Sequence, residues 1–367
     1  MLDPNLSRAR QQRLLAEMAA RKLDAIVVGA HEHVQYLSAR RPNWLTFGAF
    51  ILWADGKTWM TTGDSPLEGA AVDEAVTYEA RWMATLRQEQ PMVVAAQVVE
   101  ALKARRTREI GVDASAVSSQ ITLMAMDVEP IDAVLWQMRR RKDADELALI
   151  RKAASCADAM YRRAKEIIRP GVPESELFVE LQAAATREAG EPLSAYLGND
   201  FASGAGGGPP RPGRTALVDD IYIIDVGPAY RGYFADASRA FAVGGCPSDA
   251  QRTAWHRLVS ALHNVERMAR PGVRCQEIYN SIAYDLSQWD ELGKFGHHLG
   301  HGVGLQPHEY PHLNPKWDDV LMEGEVFTAE PGLYGPLLRG GIRLENLYHV
   351  TADGVENMIT APLELVP

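Results

Sequence analysis

The sequence predicts two domains, an α/β domain over residues 1–138 and an α+β domain over residues 139–367. The chain has 367 residues. Chains of this length usually divide into domains with separate hydrophobic cores, so two domains are expected. In the first part, helical and strand-like patterns alternate, which is typical of a mixed sheet covered by helices. In the second part, helices and strands follow one another without regular alternation, which is typical of an α+β arrangement.

The elements of the first domain follow from the spacing of apolar residues. Amphipathic patterns predict helices, and short apolar runs predict strands. Asp55-Gly56 lies between two apolar runs and is a turn dipeptide of β-hairpins, so the two runs are predicted to pair. The predicted helices cover residues 10–22 and 91–106, the predicted hairpin covers 47–63, and two further strands cover 24–29 and 109–113.

The second domain opens with a basic run, Arg139-Arg140-Arg141-Lys142, which we interpret as a solvent-exposed connector. Asp143 and Glu146 then match an Asp version of the capping box and predict a helix start. Apolar residues keep helical spacing up to Pro170-Gly171, where this helix is predicted to end. Later elements are predicted as helices over 174–189 and 249–269 and as strands over 221–227 and 233–245.

Composition and charge exclude several classes of protein. A formal net charge of −10 and a pI of about 5.5 argue against the basic face that nucleic-acid binding needs. No apolar run reaches the ~18 residues of a membrane span. The first residues, MLDPNLSRARQQRLL, lack the pattern of a signal peptide, so we expect a cytoplasmic protein. Three scattered cysteines favour reduced thiols over disulfides.

The segment HHLGHGVGLQPHE, residues 297–309, holds four of the ten histidines. His297 and His301 have the i, i+4 spacing of a metal-binding helix. Gly300, Gly302 and Gly304 argue against that helix, because each would cost an interior helical position roughly 1 kcal/mol relative to Ala. We therefore predict an irregular or extended segment whose metal-binding partners come from other parts of the chain.

Two predicted hairpins present pairs of carboxylates. In the first, Asp225 and Asp236 would oppose each other across a turn centred between Tyr230 and Arg231. Opposed residues of an antiparallel pair have Cβ atoms about 4.5–5.5 Å apart, so two like charges there need a cation between them.

The second predicted hairpin opposes Glu330 and Glu345 across a turn centred on Leu337-Leu338. Pro331 directly after Glu330 predicts an edge or a bulge there, so direct opposition is less strict. Four carboxylates and an imidazole make an oxygen-rich site that suits Mn²⁺, Fe²⁺, Co²⁺ or Zn²⁺, with enough ligands for two ions.

These residues stand in motifs that resemble those of the pita-bread metallohydrolases, the family of Xaa-Pro aminopeptidase, Xaa-Pro dipeptidase (prolidase) and creatinase. The resemblance spans essentially the whole chain. It implies a creatinase-like N-terminal α/β domain over residues 1–138 and a catalytic pita-bread domain over residues 139–367. The motifs occur in the family's order: KDADELALIRKAA, RPG, IDVG, DASRAF, GHGVGLQPHE, FTAEPGLY and GIRLEN.

The resemblance also implies a role for each site residue. Metal ligation falls to Asp225, Asp236, His301, Glu330 and Glu345. Asp236 and Glu345 would bridge two ions, and Glu330 would in addition take a proton from the attacking water and pass it on.

Three more residues receive substrate-side roles from the resemblance. His308 would contact the substrate carbonyl, His297 would touch the leaving-group side, and Arg343 would support the site. His298 and His312 match no functional position and are interpreted as structural.

Two departures from the family pattern bear on the substrate. Gly208 stands seventeen residues before Asp225, where proteolytic members and creatinase usually have a catalytic histidine. In the same glycine-rich loop, Arg211 or Arg214 either offers positive charge to an anionic substrate or simply faces solvent. Asn346 replaces the aspartate that commonly follows the last glutamate of the peptidases.

The leading hypothesis is a hydrolase with two divalent ions, Mn²⁺ before Co²⁺, Zn²⁺ or Fe²⁺, that cleaves an amide-type C–N bond in a short peptide or small molecule. Xaa-Pro dipeptidase or aminopeptidase activity is the first choice. One alternative is a small-molecule enzyme resembling ectoine hydrolase, creatinase or dimethylsulfoniopropionate lyase. The other is a non-enzymatic binding module. The resemblance also implies a homodimer in which the loop from Arg40 to Trp44 reaches the partner's site.

Overall fold

The computed structural model describes residues 1–43, 45–63, 68–80, 89–124 and 127–367. The chain divides into two compact units, Met1–Met138 and Arg139–Pro367. The first unit is an α/β domain and the second has helices and antiparallel sheets in irregular order. Within the described residues, no helix is both long enough and apolar enough to cross a membrane.

The first unit is built on a six-stranded mixed sheet with strand order β4-β3-β2-β1-β5-β6. β1 pairs antiparallel with β2 and parallel with β5, so the sheet combines hairpin and crossover connections. The described elements are α1 (Pro4–Arg21), β1 (Ala25–Val28), α2 (His31–Ser38), β2 (Gly48–Trp53), β3 (Thr58–Thr62), β4 (Glu74–Thr77), α3 (Gln90–Ala104), β5 (Glu109–Val112), α4 (Ser119–Met124), β6 (Asp127–Pro130) and α5 (Asp132–Arg140).

The predicted hairpin of the first unit is confirmed. β2 and β3 pair with Leu52 opposite Thr58, and Gly56 takes a left-handed φ of 82° in the turn. The predicted first helix begins earlier than expected, because Asp3 caps it by accepting a hydrogen bond from the backbone N–H of Asn5 at 2.7 Å.

The second unit contains a β7–β10 sheet, a five-stranded sheet and a two-stranded ribbon, with four helices. Its core joins apolar residues of α8 and α9 to those of both larger sheets. The elements are α6 (Ala144–Ile167), α7 (Glu174–Ala189), β7 (Ala195–Asp200), β8 (Ile221–Tyr230), β9 (Tyr233–Phe234), β10 (Ala237–Ala242), α8 (Asp249–Met268), α9 (Cys275–Ser287), β11 (Gly300–Gly302), β12 (Glu309–Leu313), β13 (Val326–Ala329), β14 (Gly332–Gly335), β15 (Gly340–Arg343), β16 (Asn346–Val350) and β17 (Val355–Asn357).

Capping residues mark helix boundaries of the second unit. Asp143 and Glu146 form the expected capping box, with the Asp143 N–H donating to Glu146 Oε2 at 2.9 Å. α7 ends at Gly190, whose φ of 75° is left-handed and therefore suits glycine.

The interpretation of the basic run as a solvent-exposed connector is wrong. Arg139, Arg140 and Lys142 are buried, with 3–6% of their surface exposed. Both Arg139 Nη2 (2.5 Å) and Lys142 Nζ (2.8 Å) donate to the carboxylate of Glu309, and Arg140 Nε donates to Glu325 at 2.5 Å. These acidic partners lie far along the chain, so the run has no local pattern that would reveal its burial.

Candidate metal centre

The hairpin of β8 and β10 carries the first pair of aspartates, but in a register different from the predicted one. Tyr230 pairs with Tyr233, and the two turn residues Arg231 and Gly232 both have positive φ, 50° and 92°. A two-residue turn of this kind matches the twist of the flanking strands. The turn is therefore centred after Arg231 and not before it.

This register places Asp225 opposite Ser238, so the predicted direct opposition of Asp225 and Asp236 is wrong. Asp236 precedes Ser238 by two residues, and residues two apart on an extended strand share a face. The two aspartates therefore still converge: Asp225, Asp236 and Glu345 each offer an oxygen, and these oxygens lie within 4.8 Å of one another.

The predicted register of the second hairpin is confirmed. Ala329 pairs with Asn346 on one side of Glu330, and Gly332 pairs with Arg343 on the other, in a single register. The ladder is interrupted at Glu330 and Pro331, as expected of a proline in a strand.

A short bridge between the two hairpins brings their carboxylates together. The Glu345 N–H donates to the carbonyl of Ser238 at 2.9 Å. Because Ser238 also pairs with Asp225, the residues Asp225, Ser238 and Glu345 form one row across three strands. The row explains how carboxylates from distant parts of the chain reach one point.

The three converging carboxylates are almost completely buried, with 1–4% of their surface exposed. Burial, with the charges of neighbouring acids, raises the pKa of Asp225 to about 6 and the pKa values of Asp236 and Glu345 well above their usual range. Asp236 Oδ1 and Glu345 Oε2 are buried without a hydrogen-bond partner in the described part of the chain. Buried, unpartnered carboxylate oxygens fit the donor set of divalent metal ions.

The glycines of β11 allow its neighbours to approach closely. A Cβ atom on Gly300 would overlap the carbonyl of Thr328, and one on Gly302 would overlap the carbonyl of Tyr310. The histidine segment is therefore not helical, as predicted: its central residues form β11, which lies between β12 and β13, and the residues that follow are irregular.

His301 is oriented as a metal ligand would be. Its Nδ1 lies 3.1 Å from the carbonyl of Gly302, so Nδ1 donates its hydrogen and Nε2 is left as an acceptor. Nε2 lies 3.5 Å from Glu330 Oε1 and 3.9 Å from Asp236 Oδ2. Burial lowers the pKa of His301 to about 4, so the ring is neutral at pH 7.

The two predicted substrate-side histidines flank His301. The ring of His308 stacks on that of His301 with centroids 3.7 Å apart, and His308 is exposed. His297 Nε2 lies 3.1 Å from the Tyr334 hydroxyl, and its Nδ1 lies 2.7 Å from the carbonyl of His298. Both rings thus lie at the open side of the centre.

His298 was interpreted as structural, whereas its ring belongs to the site. Its Nε2 lies 2.8 Å from Glu330 Oε1, and His298, His301 and Glu330 form a second group of possible metal ligands. Spacing could not reveal this, because a glycine-rich segment has no fixed side-chain period. His312 instead contacts Asp319 at 3.2 Å and stacks on Trp317, which suits a structural role.

Arg343 lies between two carboxylates, one of which the sequence analysis missed. Its Nη2 donates to Asp225 Oδ2 at 2.6 Å and also to Asp200, while Nη1 donates to the Tyr334 hydroxyl at 3.2 Å. An irregularity in the β7–β8 ladder after Gly198 leaves Asp200 opposite Asp225. The bulge interrupts the regular alternation of side chains along β7, so the sequence pattern alone does not show that Asp200 reaches Asp225 and Arg343.

The glycine-rich loop around Gly208 is attached to the site through Asp200, which accepts the N–H of Gly208. Arg211 pairs with the buried Glu174 at 2.6 Å, and Arg214 pairs with Asp220 at 2.9 Å. Both arginines therefore fix the loop through ion pairs within the protein.

Comparison with known proteins identifies the family. The family model described as metallopeptidase family M24 matches residues 148–352, and the model of the creatinase/prolidase N-terminal domain matches residues 10–140. The chain belongs to the metallopeptidase family M24. Its fold is accordingly a creatinase-type α/β domain followed by a pita-bread domain, as the sequence predicts.

Relatives of this M24 protein include dipeptidases. It is 31% identical over 252 residues to a probable dipeptidase, PepE, of Mycobacterium tuberculosis, covering 66% of this chain and 65% of that protein, which is just under two thirds of its length. It is 27% identical to an Xaa-Pro dipeptidase of Pyrococcus horikoshii, covering 97% of this chain and 98% of the relative.

Solved structures share the fold of this M24 protein. An Xaa-Pro dipeptidase from Bacillus anthracis superposes with a TM-score of 0.83 at 23% identity, covering 98% of this chain and 99% of that one. A prolidase from Pyrococcus furiosus gives 0.80 at 23% identity, covering 95% and 99%.

Proposed function

We propose that the protein is a two-metal hydrolase that cleaves Xaa-Pro bonds in short peptides. The observation that carries this proposal is the convergence of buried carboxylates with unpartnered oxygens beside the acceptor nitrogen of His301. The dipeptidase names of its relatives support the substrate class.

The residues that would hold the ions are Asp225, Asp236, His301, Glu330 and Glu345. Mn²⁺ is our first choice among Mn²⁺, Co²⁺, Zn²⁺ and Fe²⁺, because the donor set is rich in oxygen. When bound, such ions supply Lewis acidity to a carbonyl and lower the pKa of a water molecule.

The remaining chemistry falls to side chains at the open side of the centre. Glu330 accepts the proton of the attacking water at its carboxylate and delivers it to the leaving nitrogen. His308, exposed beside His301, donates a hydrogen bond to the substrate carbonyl oxygen. His297 contacts the leaving-group side, and Arg343 holds Asp225 in place through its 2.6 Å contact.

A second candidate is a small-molecule enzyme of the ectoine-hydrolase, creatinase or dimethylsulfoniopropionate-lyase type. It is favoured by one observation: Gly208 stands where the peptidases usually have a catalytic histidine. The non-enzymatic alternative is disfavoured, because all five expected ligands are present and two of them, Asp236 and Glu345, have a buried carboxylate oxygen without a hydrogen-bond partner in the described part of the chain.

We also propose a homodimer, as expected from the family resemblance. The loop from Arg40 to Trp44, suggested to reach the partner's site, ends at Trp44, which lies outside the described residues. Sedimentation velocity at micromolar concentration should give the mass of two chains, and a 40.4 kDa species would contradict the dimer.

The deciding experiment measures metal content and a substrate panel on one preparation. Ala-Pro, Gly-Pro and Xaa-Pro tripeptides are assayed with Mn²⁺, Co²⁺ or Zn²⁺ beside ectoine, creatine and sulfonium compounds. We expect two equivalents of metal and turnover of proline peptides, both lost in Asp236→Ala. No turnover of any proline peptide rejects the peptidase assignment, and a protein that binds no metal rejects the hydrolase.

A further inference from the structure

His298 lies at the middle of the histidine cluster. Its ring centroid is 5.8 Å from that of His297, 5.6 Å from that of His301 and 6.1 Å from that of His308. Its side chain is 40% exposed, and its Nε2 is directed at Glu330 Oε1 at 2.8 Å. A ring that only filled space would not direct a nitrogen at a carboxylate of the centre.

Two of the possible donor groups differ in chemistry. Asp225, Asp236 and Glu345 offer three oxygens, whereas His298, His301 and Glu330 offer two imidazole nitrogens and one oxygen. In each group the donor atoms lie within 4.8 Å of one another. A further group, Asp236, His301 and His308, also combines one oxygen with two imidazole nitrogens. The centre is therefore asymmetric, with imidazole donors gathered around His301 and only oxygen donors around Asp225 and Glu345.

We infer that His298 is an additional metal ligand, which gives one of the two ion sites a second imidazole. The inference rests on the metal centre proposed above and adds a residue to it. Nε2 of His298 reaches Glu330 from the exposed side, whereas Nε2 of His301 reaches it from the buried side at 3.5 Å. A cation bound at Glu330 Oε1 thus has both nitrogens as neighbours.

A second imidazole changes which metal this side prefers. Imidazole donors suit Zn²⁺, Co²⁺ and Fe²⁺, whereas Mn²⁺ prefers carboxylate, carbonyl and water oxygens. Two histidines and one glutamate are also a common Zn²⁺ donor set. The nitrogen-rich side therefore gains more affinity for Zn²⁺ than for Mn²⁺ from its second imidazole, while the oxygen-only side discriminates less between the two metals.

The competing explanation is that His298 only orients Glu330 through its hydrogen bond. His298→Gln separates the two roles, because the glutamine amide still donates to Glu330 but supplies no imidazole nitrogen. His312→Gln is the matched control: this histidine lies on the neighbouring strand and contacts Asp319, outside the donor groups above.

The test is calorimetric titration of the metal-free proteins with ZnCl₂ and with MnCl₂. For the wild type we expect two equivalents of metal. In His298→Gln, the Zn²⁺ affinity of one equivalent should fall by more than about 100-fold, beyond the usual loss for a group that merely orients a ligand. The Mn²⁺ affinity should fall much less, and His312→Gln should bind both metals as the wild type does.

The outcomes separate this inference from the proposed function. A wild type that binds no metal rejects the metal centre itself. A wild type that binds two ions, with equal Zn²⁺ binding in His298→Gln, overturns only the role of His298. So does a parallel loss of Zn²⁺ and Mn²⁺ affinity, which indicates orientation of Glu330.

A measurement on the wild type alone makes the result independent of how the variant folds. In the Co²⁺-substituted protein, each coordinated imidazole gives a strongly shifted, exchangeable N–H proton resonance. At least two such resonances are expected, with one fewer in His298→Gln. A single resonance in the wild type overturns the inference.

Discussion

Arg343 is the side chain that balances part of the negative charge at the centre. Its guanidinium is buried, and burial alone would lower its pKa, but the carboxylates of Asp225 and Asp200 hold that pKa above its usual range. Asp200 and Asp225 are opposed across two strands, an arrangement that repels unless a cation lies between them. Arg343 is that cation, so Asp225 and Asp200 compete for one guanidinium.

We therefore predict that Asp200→Asn weakens Mn²⁺ binding by about tenfold, as for other groups that orient a metal ligand. Without the charge of Asp200, Arg343 pairs with Asp225 alone and draws it away from the ions. Calorimetric titration of the metal-free protein measures the loss.

Two comparisons make this prediction specific. Asp220→Asn, which removes an acid that accepts from Leu217 and Arg214 near the same loop, should leave Mn²⁺ affinity unchanged. In an Arg343→Met background the effect of Asp200→Asn should vanish, since paired residues give non-additive effects. An equal loss in both backgrounds would show that Asp200 acts without Arg343.

Individual residues also show where the sequence was informative. The register of Glu330 and Glu345 was predictable because the proline and glycines around Leu337 marked the turn. The turn between Asp225 and Asp236 was predicted one residue too early. The first turn residue, Arg231, adopts a left-handed φ, and only Asn, Asp or Gly at that position would have predicted this turn from the sequence. His298 and Asp200 were missed because a glycine-rich segment and a bulge remove the regular side-chain alternation.

At the scale of elements, strand β11 depends on close backbone approach. It pairs with β12 on one side and β13 on the other, and the absence of a Cβ atom at Gly302 leaves room for the carbonyl of Tyr310. A backbone carbonyl in a paired strand cannot move aside as a flexible side chain can. The position of His301, the residue before Gly302, therefore depends on this glycine.

Gly302→Ala is predicted to lower the free energy of unfolding by about 3 kcal/mol, the upper end of typical overpacking costs. Urea denaturation of the metal-free protein measures the change. Gly296→Ala, just before the histidine segment, provides the control, because a Cβ there meets no atom within 4 Å and its φ is not left-handed. Equal stability of the two variants would contradict the close approach.

The basic run at the end of α5 shows the limit of local sequence patterns for elements. Four consecutive cations resemble a solvated connector, yet three of them are buried against Glu309, Glu325 and Asp319. Since Glu309 follows His308 directly, Arg139 and Lys142 fix the end of the histidine segment. Only the tertiary fold brings these charges together.

At the scale of the whole molecule, the fold class was predictable because it depends on many residues at once. Alternating helix and strand patterns, hairpin dipeptides and capping residues each predicted an element, and single errors did not change the class. The site was less predictable, because it depends on the row of Asp225, Ser238 and Glu345 across strands from two hairpins. Such a row is set by packing between elements and not by the pattern within any one of them.

The titratable groups of the site also affect the stability of the molecule. Asp236 and Glu345 have raised pKa values in the folded protein, chiefly through burial. An acid whose pKa is higher in the folded than in the unfolded protein stabilises the fold most at low pH. This contribution to the free energy of unfolding is lost as the pH rises towards the folded-state pKa. His298, whose pKa is raised by its hydrogen bond to Glu330, contributes in the same direction. His301 has a lowered pKa and contributes oppositely, but only below about pH 6.5, where the unfolded histidine is protonated.

Between pH 6.5 and 7.5 the acids therefore dominate, and the metal-free protein is predicted to become less stable as pH rises. Asp236 and Glu345 each account for up to ~1.4 kcal/mol per pH unit. Metal-loaded protein should not lose stability, because ions bind the deprotonated carboxylates and binding strengthens with pH. Urea denaturation in chelator and in Mn²⁺ measures both slopes, and Asp236→Asn should make the slope in chelator shallower. A metal-free protein whose stability is flat or rises across this window would mean that Asp236 and Glu345 are already ionised at pH 6.5, and would contradict the prediction.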